Sequence, residues 1–359
     1  MAAVLVILED SSQSQFGGGQ RISLEVMKWA DLGSDTILID SVNSWWHQKI
    51  PDRIRREILG IRQSNYHSLL FNLSFFYRTL LLLFRFSPLK IYITTRKHIL
   101  SAFIYKCLRP RVKLVFHVHL LPTERMLSRI FDRLVLSFCQ HLIFSSQYTY
   151  HRFWFLRGFQ AVRSSVSPLP PPKWKERSFD LLIPSDPLVI AYVGRLSREK
   201  GVFSFLNAIG KLKLDQPWQA LIVGDGQDRE AVLERIASSP VRERISYDGI
   251  TDTDFSFYSR ISLLVIPSFY IDETLCLTAV EAMQAGVPVL SSGNGNLGIF
   301  FQQGLLSVFE SDSPEHMARK IEDCIAKLRE RCYRRNYLPL EQGESRSFGA
   351  FYEDILGIS

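Results

Sequence analysis

The chain is poor in cysteine, and poor in acid over its first half. It has no unbroken apolar run long enough to cross a bilayer. Its five cysteines (Cys107, Cys139, Cys276, Cys324 and Cys332) are odd in number, scattered and free of any Cys-x-x-Cys pair. That pattern excludes a disulfide framework or a zinc knuckle and fits a reducing compartment. The most membrane-like stretch, Leu69 to Phe86, is interrupted by Asn72, Arg78 and Arg85. A spanning helix needs about 20 mostly apolar residues. The stretch reads either as an amphipathic helix lying on a bilayer or as a helix packed on a sheet, and both readings stay open here. Met1 to Asp10 lacks the basic n-region of a leader, and Val4 to Leu8 runs directly into Glu9-Asp10. A buried strand entering a polar loop is expected there. Internal repeats and low-complexity tracts are absent.

What is present describes a two-domain α/β protein. The length of 359 residues sets an expectation of about two domains, and 46% hydrophobic with 22% charged residues fits a full core. The net charge of +7 hides an asymmetry. Residues 1–175 carry 24 Lys+Arg against 10 Asp+Glu, whereas residues 176–359 carry 19 against 26. The halves are therefore expected to meet different partners, the basic one facing an anionic surface unless it is simply solvated.

Apolar runs alternate with helix-length segments. Strands are expected at 3–8, 36–40, 90–94, 113–118 and 141–145, then at 188–193, 219–223, 244–247, 262–266 and 287–290. Helices are expected near 20–32, 65–85, 99–108, 124–138 and 147–157, then at 201–214, 227–238, 252–259, 276–285 and 314–331, with a short closing helix over 347–356. Such alternation predicts parallel sheets covered on both faces, in two tandem Rossmann-like series. Ser167 to Pro172, with four prolines, marks the boundary.

The chemistry-bearing residues lie where these strands end. Phe16-Gly17-Gly18-Gly19-Gln20 opens the first helix, where free amides attract anions, although a flexible turn would look the same. Val193-Gly194-Arg195-Leu196 is followed by Lys200-Gly201 at the rim where open parallel sheets bind ligands. A guanidinium fork with an ammonium suits a diphosphate, and a solvated charged loop is the plain alternative. Ile222-Val223-Gly224-Asp225-Gly226 repeats the strand-then-glycine turn and is weak evidence alone. Pro267-Ser268, then Glu273, then Glu281-Ala282 and Gly286 place one carboxylate on a helix entry loop and another two turns into the helix. Carboxylates accept from vicinal hydroxyls.

Two other groups invite metal readings. Asp252-Thr253-Asp254 has the spacing of a metal-holding pair, yet it starts a predicted helix and suits capping better. His117-Val118-His119 places both rings on one strand face, but zinc would need two further ligands. A single functional histidine, His119, is the better expectation.

In their order and spacing, these motifs resemble the GT-B retaining glycosyltransferases of family 4. The resemblance covers most of residues 188–292, and in the first half only Gly17-Gly18 and His119. It implies two facing Rossmann-like α/β domains with an interdomain cleft. On this basis residues 1–172 form an acceptor-side domain, 173–187 a linker and 188–335 the nucleotide-sugar-binding domain. Residues 336–359 form a tail with a helix that packs back on the first domain. The resemblance implies that Arg195 and Lys200 bind the donor diphosphate, Glu281 the ribose and Glu273 the sugar hydroxyls. Gly17, Gly18, Gly194, Gly224 and Leu277 line the donor, and His119 lies near sugar and acceptor, so that His119 and Glu273 are the catalytic candidates. It further implies retention of anomeric configuration, no metal and no cofactor. The family pattern Glu-Gly-Phe-Gly-Leu reads Glu273-Thr274-Leu275-Cys276-Leu277 here. The later Gly-Gly-x-x-Glu segment reads Gly295-Asn296-Leu297-Gly298-Ile299 and lacks the acid.

The function expected is transfer of a hexose-type sugar from a nucleotide-diphosphate donor to an acceptor glycan or lipid-linked sugar, in cell-surface polysaccharide or glycolipid assembly. The expected location is cytoplasmic, with peripheral contact to anionic membrane through the basic N-terminal half, around Arg53, Arg55, Arg56 and the 69–86 helix. The alternative is a non-catalytic sugar-nucleotide-binding or partner subunit on the same fold. No recognisable nucleic-acid module is present. The first glycine loop also has the wrong spacing for a dinucleotide dehydrogenase.

Overall fold

The computed structural model describes residues 4–11, 18–32, 35–61, 69–119, 121–122, 126–153, 162–170, 186–269, 273–302, 307–309, 313–329 and 344–357. The chain divides into two compact units. Unit 1 comprises Met1–Pro171 with Gln342–Ser359, and unit 2 comprises Pro172–Glu341. Most of the 173–187 segment lies outside the described residues.

Unit 1 is built on β1 (Leu5–Leu8), α1 (Gly18–Trp29), β2 (Thr36–Asp40), β3 (Arg55–Ile58), α2 (Leu69–Phe86), β4 (Lys90–Ile93) and α3 (Ile99–Leu108). It continues through β5 (Lys113–Val118), α4 (Met126–Leu136), β6 (His141–Phe144), α5 (Gln147–Arg152) and β7 (Arg163–Val166). All seven strands pair in parallel in the order β3-β2-β1-β4-β5-β6-β7. The central strands are apolar on both faces, as a sheet covered twice requires. Parallel crossovers are right-handed. The connection from β1 to β2 runs one way across the sheet, and those through α2, α3 and α4 run the other way. Helix α1 therefore covers one face and α2–α4 the opposite face, where α2 packs on α3 and α3 on α4.

Unit 2 repeats the plan with β8 (Leu188–Val193), α6 (Val202–Ile209), β9 (Trp218–Val223), α7 (Arg229–Ala237), β10 (Ile245–Gly249), α8 (Phe255–Ser259) and β11 (Leu263–Ile266). It ends with α9 (Leu277–Gln284), β12 (Val289–Ser291), α10 (Leu297–Gln302), β13 (Ser307–Val308) and α11 (Pro314–Arg329). The order β10-β9-β8-β11-β12-β13 is again fully parallel. Each sheet reverses its strand order beside its first strand, and ligands bind at such switch points, outside the carboxyl ends.

Four elements were not expected from the sequence: β3, β7, β13 and α10. Strand β3 is Arg-Arg-Glu-Ile at one edge and β7 is Arg-Ser-Ser-Val at the other, both largely exposed. Edge strands carry no apolar run to betray them. Helix α6 stops at Ile209 rather than 214, because Gly210 caps it.

The tail folds into α12 (Glu344–Leu356), which lies against α1 within unit 1. Phe348 and Tyr352 are fully buried. The Tyr352 hydroxyl lies 2.7 Å from Ser167 Oγ, and Glu353 accepts from the Asp31 amide at 2.9 Å. Gly349 sits where any Cβ would fall 2.3 Å from the Trp29 carbonyl oxygen, so the two helices touch backbone to backbone. Truncating such a buried aromatic costs about 3–5 kcal/mol. Tyr352→Ala should therefore lower the stability of unit 1 by that order and bring down its urea midpoint. A midpoint unchanged in urea would mean that α12 contributes nothing to the unit.

Candidate functional site

The expected donor residues of unit 2 gather where β8 and β11 end. Strand β8 stops at Gly194, whose amide donates to the Val223 carbonyl at 3.0 Å. The backbone then turns so tightly that Gly224, at φ +136°, has no room for a side chain: a Cβ would lie 1.9 Å from the Gly194 carbonyl oxygen. The two glycine turns are thereby closed on each other. A short 3-10 turn, Arg198–Lys200, follows and brings Lys200 inward, where its ammonium pairs with Glu273. Both side chains are mostly buried.

Glu273 is held in place by its own backbone. Its carbonyl accepts from the Asn296 amide at 2.9 Å. Gly295, at φ +61°, lies against the same carbonyl, where a Cβ would come within 2.5 Å. The segment that departs from the family pattern thus anchors the loop bearing the first acid and leads into α10. Ser268 is tied to the same segment, its carbonyl accepting from Ser292 Oγ at 2.6 Å and Asn294 Nδ2 at 3.1 Å.

Glu281 lies just over one turn into α9, which starts later than expected, at Leu277, and it is buried. Its Oε2 accepts from Tyr258 at 2.8 Å and from Thr253 Oγ1 at 3.1 Å. Thr253 belongs to the Asp-Thr-Asp stretch, so that stretch serves the carboxylate indirectly. Asp254 itself caps α8, accepting from the Phe257 amide at 2.8 Å. Among the described residues no group of three His, Cys, Asp or Glu is placed to hold a metal.

Cys276 joins these groups. Burial pushes its thiol up to about 12, with Glu273 and Glu281 adding to the rise and Lys200 opposing it. One buried atom therefore senses both acids and the lysine. Tyr192 is raised by burial, then by Cys276 and Glu273, and lowered by Arg195. Its hydroxyl donates to the Arg195 carbonyl at 2.7 Å. Arg195 is the outlier: half exposed, it sits 3.7 Å from Glu199 on the outer rim. Leu277 is half-buried at the start of α9. Ser197, between the two cations, went unnoticed in the sequence. Its hydroxyl is buried with no hydrogen-bond partner among the described residues.

In unit 1, Gly17 lies outside the described residues, and Gly18 is the exposed first residue of α1. His119 follows β5, with Gly19 packed against its ring. Its Nδ1 is 3.0 Å from Ser145 Oγ, and that hydroxyl donates to the Val118 carbonyl at 2.8 Å. Since the serine proton is used there, Nδ1 carries the imidazole proton and Nε2 is an acceptor. Burial holds the His119 pKa down at about 4, so the ring is neutral at pH 7. His117 stacks on it with ring centroids 4.0 Å apart and bonds the Tyr92 hydroxyl at 2.6 Å. A pocket beside His119 is lined by Thr94, Arg96 and Asp132 over an apolar wall that includes Phe116 and Phe153.

The switch point of unit 1 holds a buried acid that the sequence did not single out. Glu9 accepts from Ser23 Oγ at 2.6 Å and Thr94 Oγ1 at 2.7 Å. Burial first, then Asp40, raises it to about 7. The only signal in the sequence is an acid directly after an apolar strand. Arg53, Arg55 and Arg56, expected to face a membrane, are engaged within the unit. Arg53 donates to the Met27 and Ala30 carbonyls, Arg56 to that of His47, and Arg55 pairs with Glu57.

Two parallel sheets with the same strand order define a pair of Rossmann-like domains, the GT-B architecture. Residues 174–338 match the family described as glycosyl transferases group 1. The chain is 32% identical over 136 residues to the lipopolysaccharide 1,2-N-acetylglucosaminetransferase of Salmonella typhimurium LT2, 35% of either protein. It is 30% identical over 182 residues to the 2-deoxystreptamine glucosyltransferase of Streptomyces kanamyceticus, 47% of this chain and 46% of that one. The chain thus spans less than half the length of these relatives. HepE from Anabaena, solved with UDP and glucose, superposes with a TM-score of 0.70 at 17% identity, covering 98% of this chain and 95% of that one. A glycosyltransferase from Rickettsia africae gives 0.70 at 15% identity over the whole of both chains.

Glu9 makes the stability of unit 1 depend on pH. Its folded pKa is raised from 4.5 to about 7. The folded chain then holds an extra proton across that window, so stability is full below it and falls as the pH rises through it. The full loss is roughly 3 kcal/mol. His119 and His98, both lowered to about 4 by burial, act oppositely and weaken the fold as pH drops below 6.5. Glu9→Gln cannot ionise but keeps the histidines, so between pH 5 and 8 its melting temperature should gain on that of the wild type as the pH rises. Equal changes in the two proteins would show that Glu9 titrates normally.

Proposed function

We propose that this chain is a glycosyltransferase that moves a sugar from a nucleotide-diphosphate sugar to an acceptor hydroxyl. The observation that carries the proposal is the mostly buried Lys200–Glu273 ion pair at the switch point of unit 2, with buried Glu281 held by Tyr258 and Thr253 on the helix that follows. Charge grows on the diphosphate as the glycosidic bond breaks, and preorganised donors are worth most where that charge appears. An ammonium carries three donors, so Lys200 can hold Glu273 and a phosphate oxygen at once. Arg195, exposed on the rim, reaches the diphosphate from outside, and Ser197 Oγ supplies a further donor. Glu281, oriented by Tyr258 and Thr253, accepts from the ribose hydroxyls. Glu273 does so from the sugar, as a side chain fixed by its own backbone contacts.

Unit 1 takes the acceptor. Neutral His119, held by Ser145 just after β5, suits a neutral hydroxyl beside it. No described residue stands out as a covalent nucleophile. The resemblance to the retaining family 4 enzymes favours a same-face displacement, with retention of configuration, in which the leaving phosphate takes the acceptor proton. No metal or cofactor is needed for it, because the cations that meet the diphosphate come from the chain. A hexose-type sugar, a glycan or lipid-linked acceptor and a place at the cytoplasmic membrane face complete the reading. The relative named for lipopolysaccharide supports that acceptor class.

A second reading is a sugar-nucleotide-binding subunit without catalysis, favoured by one observation. Cys276 occupies a glycine position next to the expected sugar phosphate, with a buried, protonated thiol. Two measurements separate the readings. A panel of nucleotide diphosphates and their sugars should contain one that raises the melting temperature, since a ligand at 100 times its Kd adds about 2.7 kcal/mol. The same donor should be hydrolysed slowly without acceptor. Lys200→Ala and Glu281→Ala should each cut that hydrolysis about 100-fold or more. Binding without hydrolysis would select the subunit, and unchanged rates in both variants would overturn the site.

A further inference from the structure

Helices α2, α3 and α4 share one face of unit 1, and their outer sides are apolar. Leu73, Tyr77 and Leu81 recur once per turn along α2, and Met126, Ile130 and Leu134 along α4, each at least 50% exposed. Helix α3, packed between them, adds Leu108. The Phe103 and Phe138 rings meet at 4.8 Å and continue the surface from α3 to the end of α4. Unit 2 is different. Of the exposed large apolar side chains among the described residues, only Leu233, Ile250 and Phe301 belong to it. Scattered apolar residues need no explanation, but a contiguous surface of this kind marks a place of interaction.

The charges around this surface name the partner. Residues 69–138 hold twelve Lys and Arg against two acids. Of the two, Asp132 is buried and paired with Arg96, and Glu124 lies outside the described residues. Arg85 on α2, Arg133 on α4, Arg109 and Arg111 after α3, and Lys113 at the start of β5 are exposed. A face that is apolar along its helix crests and cationic at its edges fits the headgroup region of an anionic bilayer, with side chains in the acyl boundary and arginines at the phosphates. A second copy of the chain would bring the same cations against each other, so self-association is disfavoured by charge. Nucleic acid would match the cations and leave the aliphatic crests without a partner.

We infer that the outer face of α2, α3 and α4 is the surface through which this protein lies on an anionic lipid bilayer. Among the described residues no helix is long and apolar enough to cross a membrane, so contact there would be interfacial. The inference gives the membrane contact of the proposed function a definite surface and rests on that reading only for the choice of membrane. It moves the contact from the 53–56 arginines, which are exposed but bound to backbone carbonyls or to Glu57, to the three helices.

The test uses the full chain with vesicles of phosphatidylcholine alone and of phosphatidylcholine mixed with phosphatidylglycerol. The wild type should cosediment with the mixed vesicles and at least about tenfold more weakly with the neutral ones. Leu81→Glu combined with Ile130→Glu should lose about tenfold or more of the binding to mixed vesicles. Both positions are exposed, so the melting temperature should not move. Leu233→Glu in unit 2 should bind like the wild type. Equal binding by the double variant and the wild type, or no cosedimentation of the wild type, overturns the surface. A wild-type dimer that the double variant dissolves in light scattering overturns it too, in favour of a protein interface. Donor hydrolysis measured on the same samples keeps the two proposals apart. The double variant should retain it, and its absence in the wild type counts against the transferase while leaving the vesicle result intact.

Discussion

The ion pair between Lys200 and Glu273 is the contact around which unit 2 arranges its carboxyl edge. Two charges taken largely out of water are tolerated only when geometry and neighbours compensate them. Here the compensation is built from backbone. The lysine sits in a 3-10 turn that starts where β8 has just ended. The glutamate sits on a loop pinned by the Asn296 amide and by a glycine that leaves no space for movement. Neither side chain owes its position to a long flexible reach. A ligand arriving at this edge meets an arrangement already formed, and preorganisation of this kind is where binding and catalysis gain most.

Unit 1 uses the same strand order with a different polarity. At the corresponding switch point it carries Glu9 in a shell of hydroxyls, with His98 Nε2 2.8 Å from the Glu9 carbonyl. Asp40, one strand over, gathers Ser11, the Ser41 amide and His47. These groups are buried and mutually satisfied, so they fix the rim rather than offer it. The open chemistry of unit 1 lies further along the sheet, at His119 and its pocket. One architecture thus places its reactive edge beside the switch point in unit 2 and beyond it in unit 1.

The parts legible in the sequence were those written in apolar runs. Strand β5 at Lys113–Val118 and strand β8 at Leu188–Val193 are as expected, because a buried parallel strand is a short unbroken apolar stretch. Edge strands β3 and β7 were illegible for the converse reason: half-solvated backbone pairing leaves no mark in composition. In the site, glycine after strand and acid before helix were readable as local chemistry. The service of Thr253 and Tyr258 to Glu281 was not, because it joins α8 to α9 across 28 and 23 residues. The Asp-Thr-Asp stretch shows the limit well. Its spacing suggested a metal, its position suggested a cap, and its middle residue turned out to hold a carboxylate elsewhere.

The charge asymmetry is partly answered within the fold. The first half has 24 cations and 10 acids, so most of its arginines and lysines have no carboxylate to meet. Several turn instead to backbone carbonyls at the ends of helices and turns. Arg53 takes the last carbonyls of α1, Arg56 that of His47 in its 3-10 turn, and Lys90 that of Gly357 after α12. Helix carboxyl ends carry partial negative charge and unsatisfied acceptors, so cations there stabilise the fold. Such bonds fix where these cations sit without cancelling their charge. The subset on α2–α4 and the segments that follow them is the set that lies beside aliphatic crests.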